Sequence, residues 1–461
     1  MNRTNRDILR IAVPAIVSNV TVPLLGLVDA GISGHLGATA YIGAVAAGGM
    51  MFNLMYWLLG FLRMGTSGLT SQALGAGRRD EVEQLLSRSL LTGLLLGVGL
   101  LVLCWPLREA LLWLLSPTDE VANYARAYFN ICIWGAPAML PLMALNGWFL
   151  GMQDSRRPML ISIVQNVVNI VASFAFVFGL GMKVEGVALG TLVAQWTGLG
   201  MGLWLVKKVT APLRTPPAGG EAITVVDEVN VSDGQPSPPI GGSRRGAVYI
   251  DIFLRTFFMV AVMFFFTSAG ARQGDTVLAV NSLLLQFSLL FSYVMDGFAY
   301  AAEAMCGKFY GAGDRQAFRR TVQAVFVWGG GLVVVFTSVY ALGGLDFLRL
   351  LTDDAAVVAA SNVYLPWATL LPLCGVAAFV WDGVYIGTTR TRQMLVSSAI
   401  AAVLFFGCYV VLTRFFTEKA NHMLWLAYLL FLLTRGVVQT IYYGRLFSPE
   451  QFRRARSRAQ G

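Results

Sequence analysis

Four carboxylic acids, Asp29, Asp296, Glu303 and Asp382, fall inside long apolar runs of this chain, where an ionised side chain finds no water to hold it. An acid so placed either pairs with an opposite charge or works, and the work open to a lone carboxyl is the uptake and release of a proton. Asp29 comes about twenty residues into the first run and shares a helical face with Val22, Gly26 and Ser33. Burial there penalises the anion, which suits a proton carrier; the plainer reading is an ionised Asp that caps or pairs near the helix end. Asp296 and Glu303 are seven residues apart and so lie on one helical face, with Arg63, Arg255 and Arg435 as the cations available to pair with them. Metal and nucleophile chemistry has little to draw on. The five cysteines stand singly, the two histidines, His35 and His422, are isolated, and no metal site, catalytic centre or enzymatic activity is expected.

The elements that carry these acids are set by composition. Of 461 residues, 56% are hydrophobic and 13% charged, so the bilayer is the solvent. A helix needs about 20 mostly apolar residues to cross the hydrocarbon core. Twelve runs reach that length, and none shows the short alternation of a transmembrane barrel. The first run carries Pro14 and Asp29 and lacks a cleavage site, so it is read as a retained span. Pro14, with no N–H to donate, is the residue expected to bend it.

Charge sets the expected orientation. One set of ends and loops, including both termini, gathers 24 of the 34 Lys and Arg residues, while the other holds only Arg108, Lys183, Arg272, Arg349, Arg414 and Lys419. Both termini are therefore placed in the cytoplasm, in a multi-pass protein of the inner (cytoplasmic) membrane. The net charge of +9 reads as this topology signal and as attraction to membrane lipids, with no nucleic-acid partner.

The chain also repeats. Ser71 to Arg79, with its Gly75-Ala76-Gly77 turn, resembles Gly307 to Arg315, with Gly311-Ala312-Gly313, at an offset of 236 residues. Asn146-Gly147-Trp148-Phe149-Leu150-Gly151 resembles Asp382-Gly383-Val384-Tyr385-Ile386-Gly387 at the same offset. The expected architecture is all-α: two pseudo-symmetric six-helix bundles, an amino-terminal lobe over 1–209 and a carboxy-terminal lobe over 248–447. A Pro-, Gly- and Ser-rich cytoplasmic linker, 210–247, joins them, and a basic tail, 448–461, follows. A two-lobed bundle of this kind reads as a secondary transporter. One chain supplies both lobes, so it is expected to work as a monomer.

Several motifs carry a resemblance to a known family. Pro14 and Val28-Asp29, the two Gly-Ala-Gly turns, Gly151-Met152-Gln153-Asp154-Ser155-Arg156 and Gly186-Val187-Ala188-Leu189-Gly190-Thr191 stand in the order and places seen in the MATE (multidrug and toxic compound extrusion) transporters, DinF-like subfamily. The resemblance covers essentially the whole chain outside the linker. It implies export of amphipathic, often cationic drugs and dyes in exchange for H⁺ by alternating access, with no cofactor; no phosphate-binding GxxxxGK[ST] loop is present.

The resemblance also implies roles for residues. In archaeal relatives the first-span Asp belongs to a polar network, and the matching positions here are Asn146, Asn169 and Thr191, with Tyr128 lining the same cavity. Those relatives carry a second Asp where this chain has Ser173. Asp29 is thus expected to be the principal proton carrier of the amino-terminal lobe. Asp382 stands at the repeat position of Asn146, and Na⁺-coupled members of the wider family use acids of this lobe. A cation or substrate site at Asp296, Glu303 and Asp382 is therefore the alternative coupling scheme, and a lipid or lipid-linked oligosaccharide flippase the alternative class. Met- and Phe-rich stretches such as Met50 to Trp57 and Phe257 to Phe266 suit a loosely selective cavity for flat, oily molecules.

Overall fold

A computed structural model of the protein describes residues 2–36, 38–214, 242–352 and 354–446. Most of the 210–247 linker and the 448–461 tail lie outside the described residues, as does the side chain of Val22. Every element described is helical. In chain order these are α1 (Arg3–Gly34), α2 (Thr39–Leu58), α3 (Phe61–Gly75), α4 (Arg79–Val102), α5 (Cys104–Leu115), α6 (Asp119–Cys132), α7 (Ala136–Gly151), α8 (Arg156–Phe174) and α9 (Val184–Arg214). The second half comprises α10 (Gly242–Ala271), α11 (Asp275–Gly311), α12 (Arg315–Leu351), α13 (Ala355–Gly387), α14 (Thr391–Phe415) and α15 (Ala420–Leu446). They make twelve stretches long and apolar enough to cross a membrane.

Packing divides the chain into two compact units, Val17–Val231 on one hand and Met1–Ile16 with Ser232–Gly461 on the other. The division falls inside α1, so the first sixteen residues belong with the second half of the sequence. Gly297 of α11 explains their seat: a side chain there would come within 2.4 Å of Ile16 and 2.8 Å of the Ala12 carbonyl. The chain stays helical through Pro14, two residues before the division.

The 236-residue repeat holds in the backbone. Four helices end in the same turn, in which two successive N–H groups fold back on the last helical carbonyls: Gly77 to Leu74 and Arg78 to Ala73, Gln153 to Leu150 and Asp154 to Phe149, Gly313 to Tyr310 and Asp314 to Phe309, Thr389 to Ile386 and Arg390 to Tyr385. Each needs a left-handed residue, supplied at φ 71° by Gly77, 65° by Gln153, 73° by Gly313 and 50° by Thr389. The glycines between helices repeat too. A side chain at Gly147 would strike the Arg63 carbonyl at 2.2 Å, and one at Gly383 the Ala299 carbonyl at 2.3 Å, which lets backbones touch without side chains between them.

Where the copies differ, the first is broken and the second continuous. The stretch 275–311 is one helix, but its counterpart bends at Leu59 and Gly60, where the Gly60 N–H turns back to the Trp57 carbonyl. The stretch 355–387 is one helix, but its counterpart passes through a 3₁₀ turn, Ile133–Gly135, before Pro137. Pro137 cannot donate to the Ile133 carbonyl, which accepts from Ala136 instead. The 37-residue α12 faces a counterpart split at Leu103, with Pro106 in the first turn of α5. Finally, α8 ends in a π turn, Ala175–Gly179, where α14 is regular. Despite the first two of these breaks, Thr39–Gly75 and Asp119–Gly151 each remain one apolar stretch long enough to span, and α5 belongs to none.

Candidate functional site

The first unit brings together most of the residues expected to form its polar network. Asn169, only 2% exposed on α8, donates from Nδ2 to Thr191 Oγ1 of α9 at 3.0 Å, and its Oδ1 accepts from Ser173 Oγ at 3.4 Å. Thr191 in turn donates to the Val187 carbonyl at 3.2 Å. The Tyr128 hydroxyl of α6 hydrogen-bonds with Thr191 and the Cys132 thiol, and Cys132 Sγ reaches the Ala188 carbonyl at 3.5 Å. Gly48 and Gly190 make room: a side chain at Gly48 would sit 2.3 Å from the Tyr128 ring, and one at Gly190 2.1 Å from Ser173 Oγ.

Asp29 closes this cluster on the α1 side, near enough to Tyr128 and Cys132 to act on both electrostatically. Its Oδ1 is buried and accepts no hydrogen bond. Its backbone is held, since its carbonyl accepts from Ser33 Oγ at 2.7 Å. More than two turns earlier on α1, the Thr21 carbonyl accepts from Asn166 of α8 at 3.3 Å, and the Thr21 and Ser162 hydroxyls lie 3.3 Å apart. Asn146 of α7 is half-buried, and its Oδ1 is also buried without a hydrogen bond.

Gln195 was not foreseen. It follows Thr191 by one turn of α9, is 8% exposed, faces the Tyr56 hydroxyl, and places Oε1 1.5 Å from the point a Gly135 side chain would occupy. An amide one helical turn past Thr191, at membrane depth, was the available signal.

The second unit treats its acids differently. Asp382, 8% exposed, is clamped by two buried guanidiniums. Oδ2 accepts from Arg435 Nη2 at 2.6 Å and from Arg255 Nη2, while Oδ1 accepts from Gln439 Nε2 at 2.8 Å. Two of the three cations considered for Asp296 and Glu303, Arg255 and Arg435, thus converge on Asp382. Asp296 is half-buried and acts on Arg255 electrostatically; Glu303, 1% exposed, lies further along α11. Among the described residues no three His, Cys, Asp or Glu side chains are grouped to hold a metal ion.

α5, which lies outside the spans, is tied to α6 by charge. Glu109 receives Arg126 at 3.1 and 3.2 Å and Arg108 at 2.9 Å, and Arg108 also reaches Asn130 at 2.7 Å. The Arg126 guanidinium first, then Arg108, holds the Glu109 carboxyl below the usual carboxylate range.

Twelve apolar helices in two copies of one repeat, with a polar pocket kept in one copy, define a polytopic transporter built on internal duplication. The chain belongs to the MatE family, whose family model matches residues 14–177 and 251–410. It is similar to DNA damage-inducible protein F of Escherichia coli K12, with 35% identity over 95% of this chain and 91% of that one. It is also similar to multidrug resistance protein MdtK of Yersinia enterocolitica, with 23% identity over 84% and 83%. Its fold matches the MATE transporter VcmN of Vibrio cholerae in its bent form, with a TM-score of 0.79 at 17% identity over 96% of this chain and 97% of that one. The protein is thus a DinF-like member of a multidrug efflux family.

Proposed function

We propose that the chain is a secondary active antiporter of the cytoplasmic membrane that exports amphipathic, often cationic compounds in exchange for H⁺, with Asp29 as the proton carrier. The observation that carries this reading is the buried Oδ1 of Asp29, which no donor reaches. A carboxylate without donors is costly in a low-dielectric site and tolerable as a neutral acid, so protonation and a bound cation are alternative ways to settle it. Tyr128, Asn169, Ser173 and Thr191 form the wall behind it, already hydrogen-bonded to one another and free to hold their shape while Asp29 changes charge. Asn146 and Gln195 add polar groups for substrate. Alternating access, with Pro14 as a bend in α1, and both termini in the cytoplasm complete the reading, and the names of the multidrug-resistance relatives support the substrate class.

The test is efflux of a fluorescent cationic dye from proteoliposomes with a pH gradient and a Na⁺ gradient imposed separately. The pH gradient should drive transport and the Na⁺ gradient should not. Asp29→Asn should abolish it while still inserting in the membrane, and full transport by that variant discards the carrier role.

A further inference from the structure

The end of the second unit where α10 begins holds a cavity outside the sites described above. It measures about 270 Å³ and is lined by Ala247, Val248 and Asp251 of α10 and by the Thr389–Gln393 turn into α14. Both signs of charge meet there. Asp251 is only 9% exposed; its Oδ2 accepts from Thr391 Oγ1 at 3.0 Å, whereas Oδ1 has only the distant Arg392 Nη1 at 3.8 Å. Opposite it, Arg390 donates from Nη2 to the Tyr310 hydroxyl at 3.1 Å, and its Nε is buried with no partner.

The repeat supplies an internal control for what belongs in this cavity. Arg390 occupies the position of Asp154 in the first copy. There the Asp154 carboxylate caps α8, accepting from the backbone N–H groups of Arg156 and Arg157 at 3.0 and 3.2 Å. Arg390, at the N-cap of α14, makes no side-chain cap hydrogen bond, so the second copy carries a cation where the first has its capping anion, at the turn that lines the cavity. An anionic group from outside fits that cradle. Asp251 Oδ1, which has only the 3.8 Å ion pair to the exposed Arg392, calls for a hydrogen-bonding cation. An apolar stripe leads away from the cavity along α10, through Ile250, Leu254 and Phe257, which are 60%, 39% and 53% exposed.

We propose that this cavity binds the headgroup of a zwitterionic phospholipid with a primary ammonium. Its phosphate lies on Arg390, Arg392 and the first N–H groups of α14, its ammonium on Asp251, and an acyl chain along Ile250, Leu254 and Phe257. A phosphoethanolamine headgroup has both charges on a two-carbon link. A choline headgroup has no N–H for Asp251, and a glycerol headgroup offers it no cation. The site does not depend on Asp29 or on the coupling ion.

Native mass spectrometry of the full delipidated chain tests the proposal, with phosphatidylethanolamine, phosphatidylcholine and phosphatidylglycerol of identical acyl chains as probes. The ethanolamine lipid should bind about tenfold more tightly than the other two. Asp251→Asn should erase that preference, and Arg390→Gln should weaken all three. Soluble phosphoethanolamine and inorganic phosphate serve as competitors: weak displacement by either supports a lipid, and full displacement at equal concentration overturns it. Equal binding of the three lipids to the unmodified chain also overturns it, whether or not the variants fold.

Discussion

Asp29 and Phe265 occupy one position in two copies of the same repeat, 236 residues apart, and their surroundings have diverged together. Phe265 packs edge-on against Phe405, Phe406 and Tyr409, with ring centroids 5.8, 5.1 and 5.3 Å away. Phe405 and Tyr409 stand at the repeat positions of Asn169 and Ser173, the hydrogen-bonded pair of the polar network. One copy therefore keeps a polar pocket and the other fills it with rings. The broken helices belong to the copy with the pocket, as expected if irregular backbone at membrane depth is tolerated where polar groups can answer it.

This exchange predicts opposite effects of two substitutions on stability. Phe265→Asp removes a packed ring and buries a carboxyl among aromatic edges, so it should cost about 3 kcal/mol or more and lower the melting temperature in detergent sharply. Asp29→Asn removes a carboxylate oxygen that accepts no hydrogen bond, so its melting temperature should hold or rise. A drop for Asp29→Asn as large as that for Phe265→Asp would show that Asp29 has a structural partner after all.

The Asp382 clamp predicts a different sensitivity. Removing the acid leaves Arg255 and Arg435 buried beside each other without an anion, and Asp382→Ala should cost about 3–5 kcal/mol. Because protein donors already occupy both carboxylate oxygens, replacing KCl by NaCl at equal ionic strength should leave the melting temperature of the unmodified chain unchanged. A Na⁺-specific rise would reveal a cation site.

Two glycines of the polar pocket should respond unequally to alanine. At Gly190 the new methyl would meet Ser173 Oγ at 2.1 Å and also the Ser173 backbone at 2.8 Å, and backbone cannot swing aside. Gly190→Ala should therefore destabilise by about 1–3 kcal/mol and disrupt the bond between Ser173 and Asn169. At Gly135 the obstacle is the end of the Gln195 side chain, which can rotate away. Gly135→Ala should keep its thermal stability yet change dye selectivity in transport, and thermal unfolding of both variants checks the contrast.

Acid should loosen α5 in a defined direction. The folded-state pKa of Glu109 is depressed by Arg126 and Arg108, so its contribution to stability is present above the ordinary glutamate value and is lost as pH falls through the folded one. Since Glu109 is largely screened by solvent, the effect is small and local. Hydrogen exchange of α5 amides should quicken between neutral and acidic pH in the unmodified chain, and Glu109→Gln should remove that dependence.

How much of this was legible in the sequence follows from what the bilayer demands. Spans and repeat could be read because crossing requires length and apolarity, and because turns such as Gly75-Ala76-Gly77 need particular residues. Asp29 and Thr191 could be named from the family motifs they sit in, and Tyr128, Asn169 and Ser173 from the positions they match in relatives; they lie together. The partner of Asp382 could not be read, because Arg255 and Arg435 arrive on α10 and α15, 127 and 53 residues away in sequence. Gln195 went unseen because a single amide in an apolar helix ordinarily makes an interhelical bond. The breaks at Gly60 and Pro137 were visible as residues, but apolarity runs unchanged across them and hides a bend.

Pro106 offers the sharpest test of how a break is made. The stretches 79–115 and 315–351 occupy equivalent places, yet only the second is one helix. Pro106 stands where the second copy has Leu342, and it withholds the N–H that would bond the Val102 carbonyl, while Leu107 still donates to Leu103 at 3.0 Å. A proline in a helix interior costs about 3 kcal/mol, whereas in a first turn it is tolerated, so the sequence gains by starting a new helix at Cys104. Pro106→Leu should therefore join α4 to α5, raise the melting temperature and slow hydrogen exchange from Leu103 to Leu107. If exchange there stays unchanged, the clamp of Glu109 on Arg126, rather than the missing N–H, holds the two helices apart.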